Sequence, residues 1–156
     1  MDRYTHMGVY GLVTWEQKVL LIHKARGAYM GKWDLPGGRL EFGEQPETAL
    51  HREIEEETEL SNLQLVIHSA QSNVLEWVYE GEPEELHHIG ILYEVYLTSK
   101  SRPYEIKREP DGEDSLGAQW YTMEEVGALS LTPFAAYMIR NRGVLGFQVT
   151  VLNEQF

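Results

Sequence analysis

Three glutamates, Glu53, Glu56 and Glu57, are spaced so that a helix would project their carboxylates from one face. Like charges at this spacing destabilise an isolated helix by roughly 0.2–0.5 kcal/mol per pair, so the cluster suggests a compensating cation. Carboxylate oxygens favour Mg²⁺, Mn²⁺ or Ca²⁺, and Mg²⁺ completes its coordination shell with water and substrate phosphates. The cluster therefore predicts a phosphate-handling site. Taken alone, an acidic run of this kind is more often a solvated helix face.

A basic segment directly precedes this acidic run. Between Lys18 and Arg39, five Lys and Arg residues accompany one acid, Asp34, which gives a charge of +4 in a chain of −12. Arg26, Lys32 and Arg39 are candidates for contacts with substrate phosphates. The alternative for each is an ordinary basic surface loop.

The elements that must position these residues can be predicted from pattern. A helix is expected over residues 47–59, with Pro46 in its first turn, and a second helix after the N-cap Thr132. The segments 25–38 and 101–115 are expected to be loops. Strands are expected at residues 7–14, 19–23, 63–69, 73–79, 88–97, 119–122 and 147–152. This order predicts an α/β or α+β domain with a mixed sheet and a helix on either face.

The acidic run also lies inside a longer motif. Eight of the nine specified positions of the Nudix box, G-x5-E-x7-R-E-U-x-E-E-x-G-U with U a bulky aliphatic residue, are matched, and the preceding WDLPGG at 33–38 is typical of the same family. The matching residues are Gly38, Glu44, Arg52, Glu53, Ile54, Glu56, Glu57 and Leu60. The chain therefore resembles the Nudix hydrolases, and by default their MutT-like nucleoside triphosphate pyrophosphohydrolases.

One box position departs from the family pattern. Glu59 stands where the family has a Gly that would suit a left-handed helix stop. We expect Glu59 to let the helix continue toward Ser61, with Asn62 supplying the left-handed stop. The carboxylate face would stay intact.

The resemblance implies an α/β/α sandwich with a mixed central sheet over residues 1–156. The box spans 38–60, and a C-terminal extension covers about 144–156. It further implies that Mg²⁺, or Mn²⁺, is held by the carboxylates of Glu53, Glu56 and Glu57 and by the main-chain carbonyl of Gly37. Arg52 and Glu44 would form a supporting ion pair.

The implied reaction is hydrolysis of a diphosphate bond. Divalent ions neutralise phosphate oxygens and lower the pKa of bound water, and a carboxylate accepts the proton. Glu53 is the expected base. In some relatives an acid from a later loop serves instead, and Glu113 is preferred over Asp114 for that role. Each of these two is otherwise a solvated loop acid.

The substrate is less defined by the sequence. A nucleoside triphosphate or another nucleoside diphosphate derivative is expected, with ADP-ribose and dinucleoside polyphosphates as alternatives and a catalytically silent nucleotide sensor as a further one. Trp77, Tyr79 and Tyr29 could stack on a base, or simply belong to the core. Adjacent His87 and His88 would face opposite sides of a strand, so they are expected to be structural or rim residues.

Composition narrows the remaining possibilities. An acidic chain of pI about 4.9 is a poor candidate for non-specific binding to nucleic acid or anionic membranes, and the absence of Cys excludes thiolate chemistry. No apolar run suggests a membrane span or signal peptide, so a cytoplasmic location is expected. The extension could add an edge strand that pairs two subunits, which predicts a homodimer.

Overall fold

The structure, a computed structural model, describes residues 1–110 and 115–142. In that part of the chain seven strands form one sheet in the order β3-β2-β1-β6-β5, with β4 beside β1 and β7 beside β2. The central β1–β6 pair is parallel and the other pairs are antiparallel, so the sheet is mixed. The elements in chain order are β1 (Asp2–Trp15), β2 (Lys18–Lys24), β3 (Trp33–Asp34), β4 (Gly37–Arg39), α1 (Pro46–Thr58), β5 (Leu63–Tyr79), β6 (Glu82–Leu97), a short 3₁₀ turn (Pro103–Glu105), β7 (Ser115–Thr122), α2 (Met123–Val126) and α3 (Pro133–Arg140).

The core consists of two apolar layers, one on each face of the sheet. Successive residues of β1 point to opposite faces, so Val9 and Val13 join the layer that packs on α1, while Leu12 joins the layer that packs on α3. The apolar stripe of each helix, represented by Ile54 in α1 and Met138 in α3, is fully buried. This helix–sheet–helix layering confirms the predicted α/β/α fold class.

The box helix ends differently from the prediction. α1 stops at Thr58, and Glu59 itself takes the left-handed conformation with φ of 66° while its N–H donates to the Glu55 carbonyl. Asn62 is also left-handed, with φ of 59°, but it lies beyond the helix. The N–H of Leu60, which is buried, donates to the Thr58 hydroxyl and not to the Glu56 carbonyl as a continuing helix would require. The Thr58 hydroxyl in turn donates to the Ile54 carbonyl.

The sheet is longer than the sequence pattern suggested. β1 begins at Asp2, β6 begins at Glu82, and β5 runs without interruption from Leu63 to Tyr79 where two strands were expected. Pairing between neighbouring strands explains this, because Asp2–Thr14 align with Glu84–Tyr96 and polar residues gain ladder hydrogen bonds. β3 and β4 likewise form inside the predicted loop 25–38 by pairing with β2 and β1.

The second helix follows the prediction closely. Thr132 caps α3 through its side chain, which accepts the N–H of Ala135, and Pro133 occupies the first turn. The expected last strand and the C-terminal extension lie outside the described residues. No described helix has the length and apolar character needed to cross a membrane.

Candidate active site

The box carboxylates of α1 lie against the glycines of β4. The Gly37 N–H donates to Glu57 Oε1 at 2.7 Å. A Cβ at Gly38 would lie 2.7 Å from the carboxyl carbon of Glu53, so only glycine lets this carboxylate approach the strand. Gly37 has φ of 147° and its missing Cβ would overlap the Val9 carbonyl. These contacts explain why β4 contains two glycines.

Arg52 joins the loop before α1 to the carboxylates on α1. Its Nε and Nη2 donate to the two oxygens of Glu44 at 2.9 Å each, so the two residues expected to form an ion pair lie in bidentate contact. Its Nη1 lies 3.0 Å from Glu53 Oε1 and 3.5 Å from Glu56. The Arg52 side chain therefore fixes the loop and orients two of the three predicted metal ligands.

A cleft of about 840 Å³ opens in front of these carboxylates. Its volume suits a small-molecule ligand. The residues predicted from the sequence that line it are Arg26, Tyr29, Gly37, Arg39, Glu53, Glu56, Glu57, Trp77 and Tyr79. It thus brings the acidic helix, two of the predicted cations and three aromatic rings together.

Three predicted site residues among those that the structure describes do not line this cleft: Glu44, Arg52 and Lys32. Lys32 is absent from the cleft lining, and its Nζ donates instead to the Ser130 hydroxyl at 3.2 Å, which ties the loop to the segment before α3. A contact of Lys32 with phosphate stays a prediction. Glu113 lies outside the described residues, so its role stays a prediction.

Several cleft residues were missed by sequence reasoning: Tyr4, His6, Tyr10, Lys24, Asp34, Leu86 and His88. Lys24 could have been found, because it continues the alternation of Leu20 and Ile22 toward the α1 face. Tyr4, His6 and Leu86 come from the extensions of β1 and β6 that the sequence pattern did not reveal. Tyr10 and His88 lie in predicted strands, and Asp34 lies in β3, but the sequence does not show that they meet.

The carboxylates carry a clear electrostatic cost. Burial raises the pKa of Glu57 well above its usual range, because its carboxylate is enclosed although the residue as a whole is half-buried. Burial likewise raises the pKa of Glu53, against the opposing effect of Arg52. The positive charge of Lys24 opposes the effect of burial by lowering the pKa of Glu57. A further cation would relieve both groups.

The donor set fits a hard divalent cation. Three carboxylates and a carbonyl offer only oxygen ligands, the type that Mg²⁺ and Mn²⁺ accept. Within residues 1–110 and 115–142, no three His, Asp or Glu side chains already converge on one point, and Arg52 lies 3.0 Å from Glu53 and 3.5 Å from Glu56. The residues thus fit the ion chemically, while Arg52 supplies the compensating charge.

The inner wall of the cleft contains His88, which is 4% exposed. Its Nε2 lies 2.7 Å from the Tyr10 hydroxyl and its Nδ1 lies 2.8 Å from the Tyr29 hydroxyl. Burial lowers the pKa of His88 to about 3, so the ring is neutral near pH 7. The expectation of a structural role agrees with this burial, and the ring also faces the cleft.

Comparison with known proteins identifies the family. A sequence model described as the NUDIX domain matches residues 4–141, most of the chain. The chain belongs to the Nudix family. This confirms the resemblance drawn from the box.

Three curated relatives support the assignment of this Nudix chain. It is 32% identical over 113 residues to "Putative nudix hydrolase 1" of Caenorhabditis elegans, covering 72% of this chain and 27% of that protein. It is 42% identical over 59 residues to an ADP-ribose pyrophosphatase of Methanocaldococcus jannaschii, covering 36% and 35%. It is 29% identical over 128 residues to an oxidized purine nucleoside triphosphate hydrolase of Mus musculus, covering 81% and 72%. The Nudix chain thus spans only about a quarter and a third of the first two relatives.

Solved structures show the same Nudix fold. A MutT NUDIX hydrolase from Burkholderia pseudomallei superposes with a TM-score of 0.60 at 23% identity, covering 89% of this chain and 98% of that one. A bifunctional NMN adenylyltransferase/ADP ribose pyrophosphatase from Francisella tularensis, in complex with AMP and a Mn ion, gives 0.55 at 18% identity, covering 90% and 42%. At these identities the likeness concerns the fold alone.

Proposed function

We propose that the protein is a divalent-metal-dependent pyrophosphohydrolase that cleaves a phosphoanhydride bond in a nucleoside triphosphate or another nucleoside diphosphate derivative. The observation that carries the proposal is one cleft lined by three box carboxylates, by Lys24, Arg26 and Arg39, and by aromatic rings. Carboxylates suit the metal, the cations suit phosphates, and the rings suit a base.

Glu53, Glu56, Glu57 and the Gly37 carbonyl would hold Mg²⁺ or Mn²⁺. When bound, the metal neutralises phosphate oxygens and lowers the pKa of water. Glu53 would accept the proton, and Arg52 keeps its carboxylate in place through the contact at 3.0 Å.

Lys24, Arg26 and Arg39 would bind the phosphates of the substrate. All three line the cleft, and Lys24 lies close enough to Glu57 to lower its pKa against the larger effect of burial. Cations placed beside the carboxylates let an acidic protein hold a polyanion, together with the metal.

Aromatic residues at the far end of the cleft support a nucleoside over a simple diphosphate. Trp77 and Tyr79 lie with ring centroids 5.4 Å apart on β5, and Tyr4 is on the same wall. Relatives named for oxidized purine nucleoside triphosphates and for ADP-ribose make these two substrate classes the first to test.

The test is a panel of nucleoside triphosphates, ADP-ribose and dinucleoside polyphosphates with Mg²⁺ or Mn²⁺, followed by identification of the products. Glu57→Gln should abolish turnover and also abolish the rise in Tm that the metal produces in the wild type. Glu55→Gln, on the exposed side of the same helix, is the matched control and should behave as the wild type. Binding of a nucleotide without turnover would favour the sensor alternative, and turnover unchanged in Glu57→Gln would contradict the proposal.

The remaining expectations stay predictions of this proposal. A cytoplasmic location, a preference for Mg²⁺, and a homodimer each require their own measurement, and gel filtration decides the last. The expected absence of non-specific binding to nucleic acid and membranes also requires a measurement of its own.

A further inference from the structure

Three buried side chains form a continuous hydrogen-bonded row along the inner wall of the cleft. The Tyr29 hydroxyl lies 2.8 Å from His88 Nδ1, and the Tyr10 hydroxyl lies 2.7 Å from His88 Nε2. Asn73 on β5 extends the row, because its Nδ2 donates to the Tyr29 hydroxyl at 3.1 Å. Both tyrosines and His88 line the cleft.

A count of hydrogens shows that this row has one donor to spare. His88 is neutral near pH 7, so its ring carries one N–H. Burial raises the pKa of both Tyr10 and Tyr29, so each keeps its hydroxyl hydrogen. His88, Tyr10 and Tyr29 thus hold three such hydrogens, and the two hydrogen bonds to His88 use only two of them. One hydroxyl hydrogen is therefore left to donate elsewhere, and both hydroxyls belong to residues of the cleft.

Asn73 favours one of the two hydroxyls. An amide NH₂ only donates, so the Tyr29 oxygen accepts from Asn73, and its own hydrogen is available to His88 Nδ1. His88 is then protonated at Nε2 and donates to the Tyr10 oxygen, which leaves the Tyr10 hydrogen free. In the opposite direction the two lone pairs of the Tyr29 oxygen would accept from both Asn73 and His88, and the row would lose its single direction. The first arrangement is favoured because hydrogen bonds that run in one direction strengthen each other.

We propose that the Tyr10 hydroxyl donates a hydrogen bond to an oxygen of the substrate's diphosphate group, with its direction set by the row Asn73–Tyr29–His88. This inference rests on the proposed function. Its location favours the diphosphate over the base: Tyr10 pairs with Gly37, whose N–H binds Glu57, so the ring begins beside the predicted metal ligands. Phosphate oxygens are strong acceptors for such a donor.

Tyr10→Phe removes the proposed donor, and Tyr96→Phe is its control, since Tyr96 donates its hydroxyl hydrogen to Glu94 at 2.6 Å and does not line the cleft. Tyr10→Phe should lower kcat/KM for a nucleotide substrate about tenfold or more, and should weaken binding of a non-hydrolysable methylene analogue in the same proportion. Tyr96→Phe should change both by less than about threefold. A merely structural role of Tyr10 would lower Tm without weakening binding by the folded protein, and unchanged analogue binding in Tyr10→Phe would overturn the proposal.

A measurement on the wild type makes the inference independent of whether either variant folds. ¹⁵N NMR of histidine-labelled protein reports which ring nitrogen carries the hydrogen, and the signal among the six histidines can be assigned with His88→Gln. Protonation at Nε2 is expected, and protonation at Nδ1 overturns the proposed direction. If the wild type hydrolyses no diphosphate substrate, the proposed function fails, whereas the protonated nitrogen still decides the row.

Discussion

Glu59→Gly should stabilise the protein, because Glu59 is held in the left-handed conformation with φ of 66°. For a residue with a Cβ this conformation costs about 1–2 kcal/mol. Glu59 is also an exposed negative charge at a helix C-terminus, which costs a further ~0.3 kcal/mol. About 0.5–1 kcal/mol of the stabilisation is lost again, because glycine has greater conformational freedom in the unfolded chain. The net gain in free energy of unfolding is about 1 kcal/mol.

The assay is urea unfolding with the m-value held common to all variants, supported by a Tm expected to rise by about 2–4 °C. Glu59→Ala is the control, since alanine removes the charge but keeps the Cβ. Glycine should exceed alanine by most of the predicted gain. If Glu59→Gly is no more stable than Glu59→Ala, backbone strain at this position is not the cause and the reasoning fails.

The same substitution should leave catalysis unchanged. Glu53 and Glu57 lie within α1, which ends at Thr58 whatever residue follows, and their contacts are with Gly37, Gly38 and Arg52. The departure at Glu59 is therefore a matter of stability. A change in kcat would indicate that a structural change at the helix end alters the position of the carboxylates.

Three other perturbations follow from the geometry. Gly38→Ala would place a Cβ 2.7 Å from the Glu53 carboxylate. Turnover of the best substrate should fall about 100-fold because this carboxylate is displaced. The fold should persist because only the end of a side chain must move. Arg52→Lys loses the two bonds to Glu44 at 2.9 Å, and kcat/KM should fall at least about tenfold with little change in Tm. At low pH, His88 should destabilise the fold, since its pKa is about 3 in the folded protein against 6.5 when unfolded. The unfolded chain binds the extra proton between these values, so the free energy of unfolding should fall by about 1.4 kcal/mol from pH 7.5 to 5.5 through this one group.

Each of these has a direct comparison. Gly127→Ala is the control for Gly38→Ala, because its nearest contact would be an ordinary 3.4 Å and it should be neutral. Full activity in Arg52→Lys would mean that the bidentate geometry does not position the site. Urea unfolding of His88→Gln should show a pH slope lower than that of the wild type, and equal slopes would remove His88 as the cause.

The acidic half of the site could be predicted because it is local in sequence. Glu53, Glu56 and Glu57 share a helix face by spacing alone, and Arg52 meets Glu44 across one short loop. The glycines before the helix are also adjacent in sequence. No long-range contact is needed to infer this group of residues.

The opposite wall depends on pairing between distant strands. His6 pairs with His88, 82 positions later, and that parallel register brings the two rings to 5.1 Å. His88 then meets Tyr10 and Tyr29. No periodicity within β1 or β6 shows which residue of one strand stands beside which residue of the other, so this part of the site required the structure.

The register of β5 shows why even a correctly placed strand can hide its function. Before its bulge, Leu65 and Ile67 pair with Val95 and Tyr93, whose side chains belong to the α1 layer. After the bulge, Ser69 pairs with Leu92, which belongs to the opposite layer. A single inserted residue between Ile67 and Ser69 thus reverses the faces of the strand.

That reversal turns Asn73 toward Tyr29 and Trp77 into the cleft. With an unbroken alternation from Leu65, every odd-numbered residue of β5 would face the α1 layer, and Asn73 would lie on the side away from Tyr29. The bulge therefore decides whether the row of hydrogen bonds that ends at Tyr10 can exist. Deleting His68 would remove only the extra residue of the bulge and leave Ser69 paired with Leu92, so Asn73 and Trp77 should stay on the same face and the KM for the substrate should be unchanged.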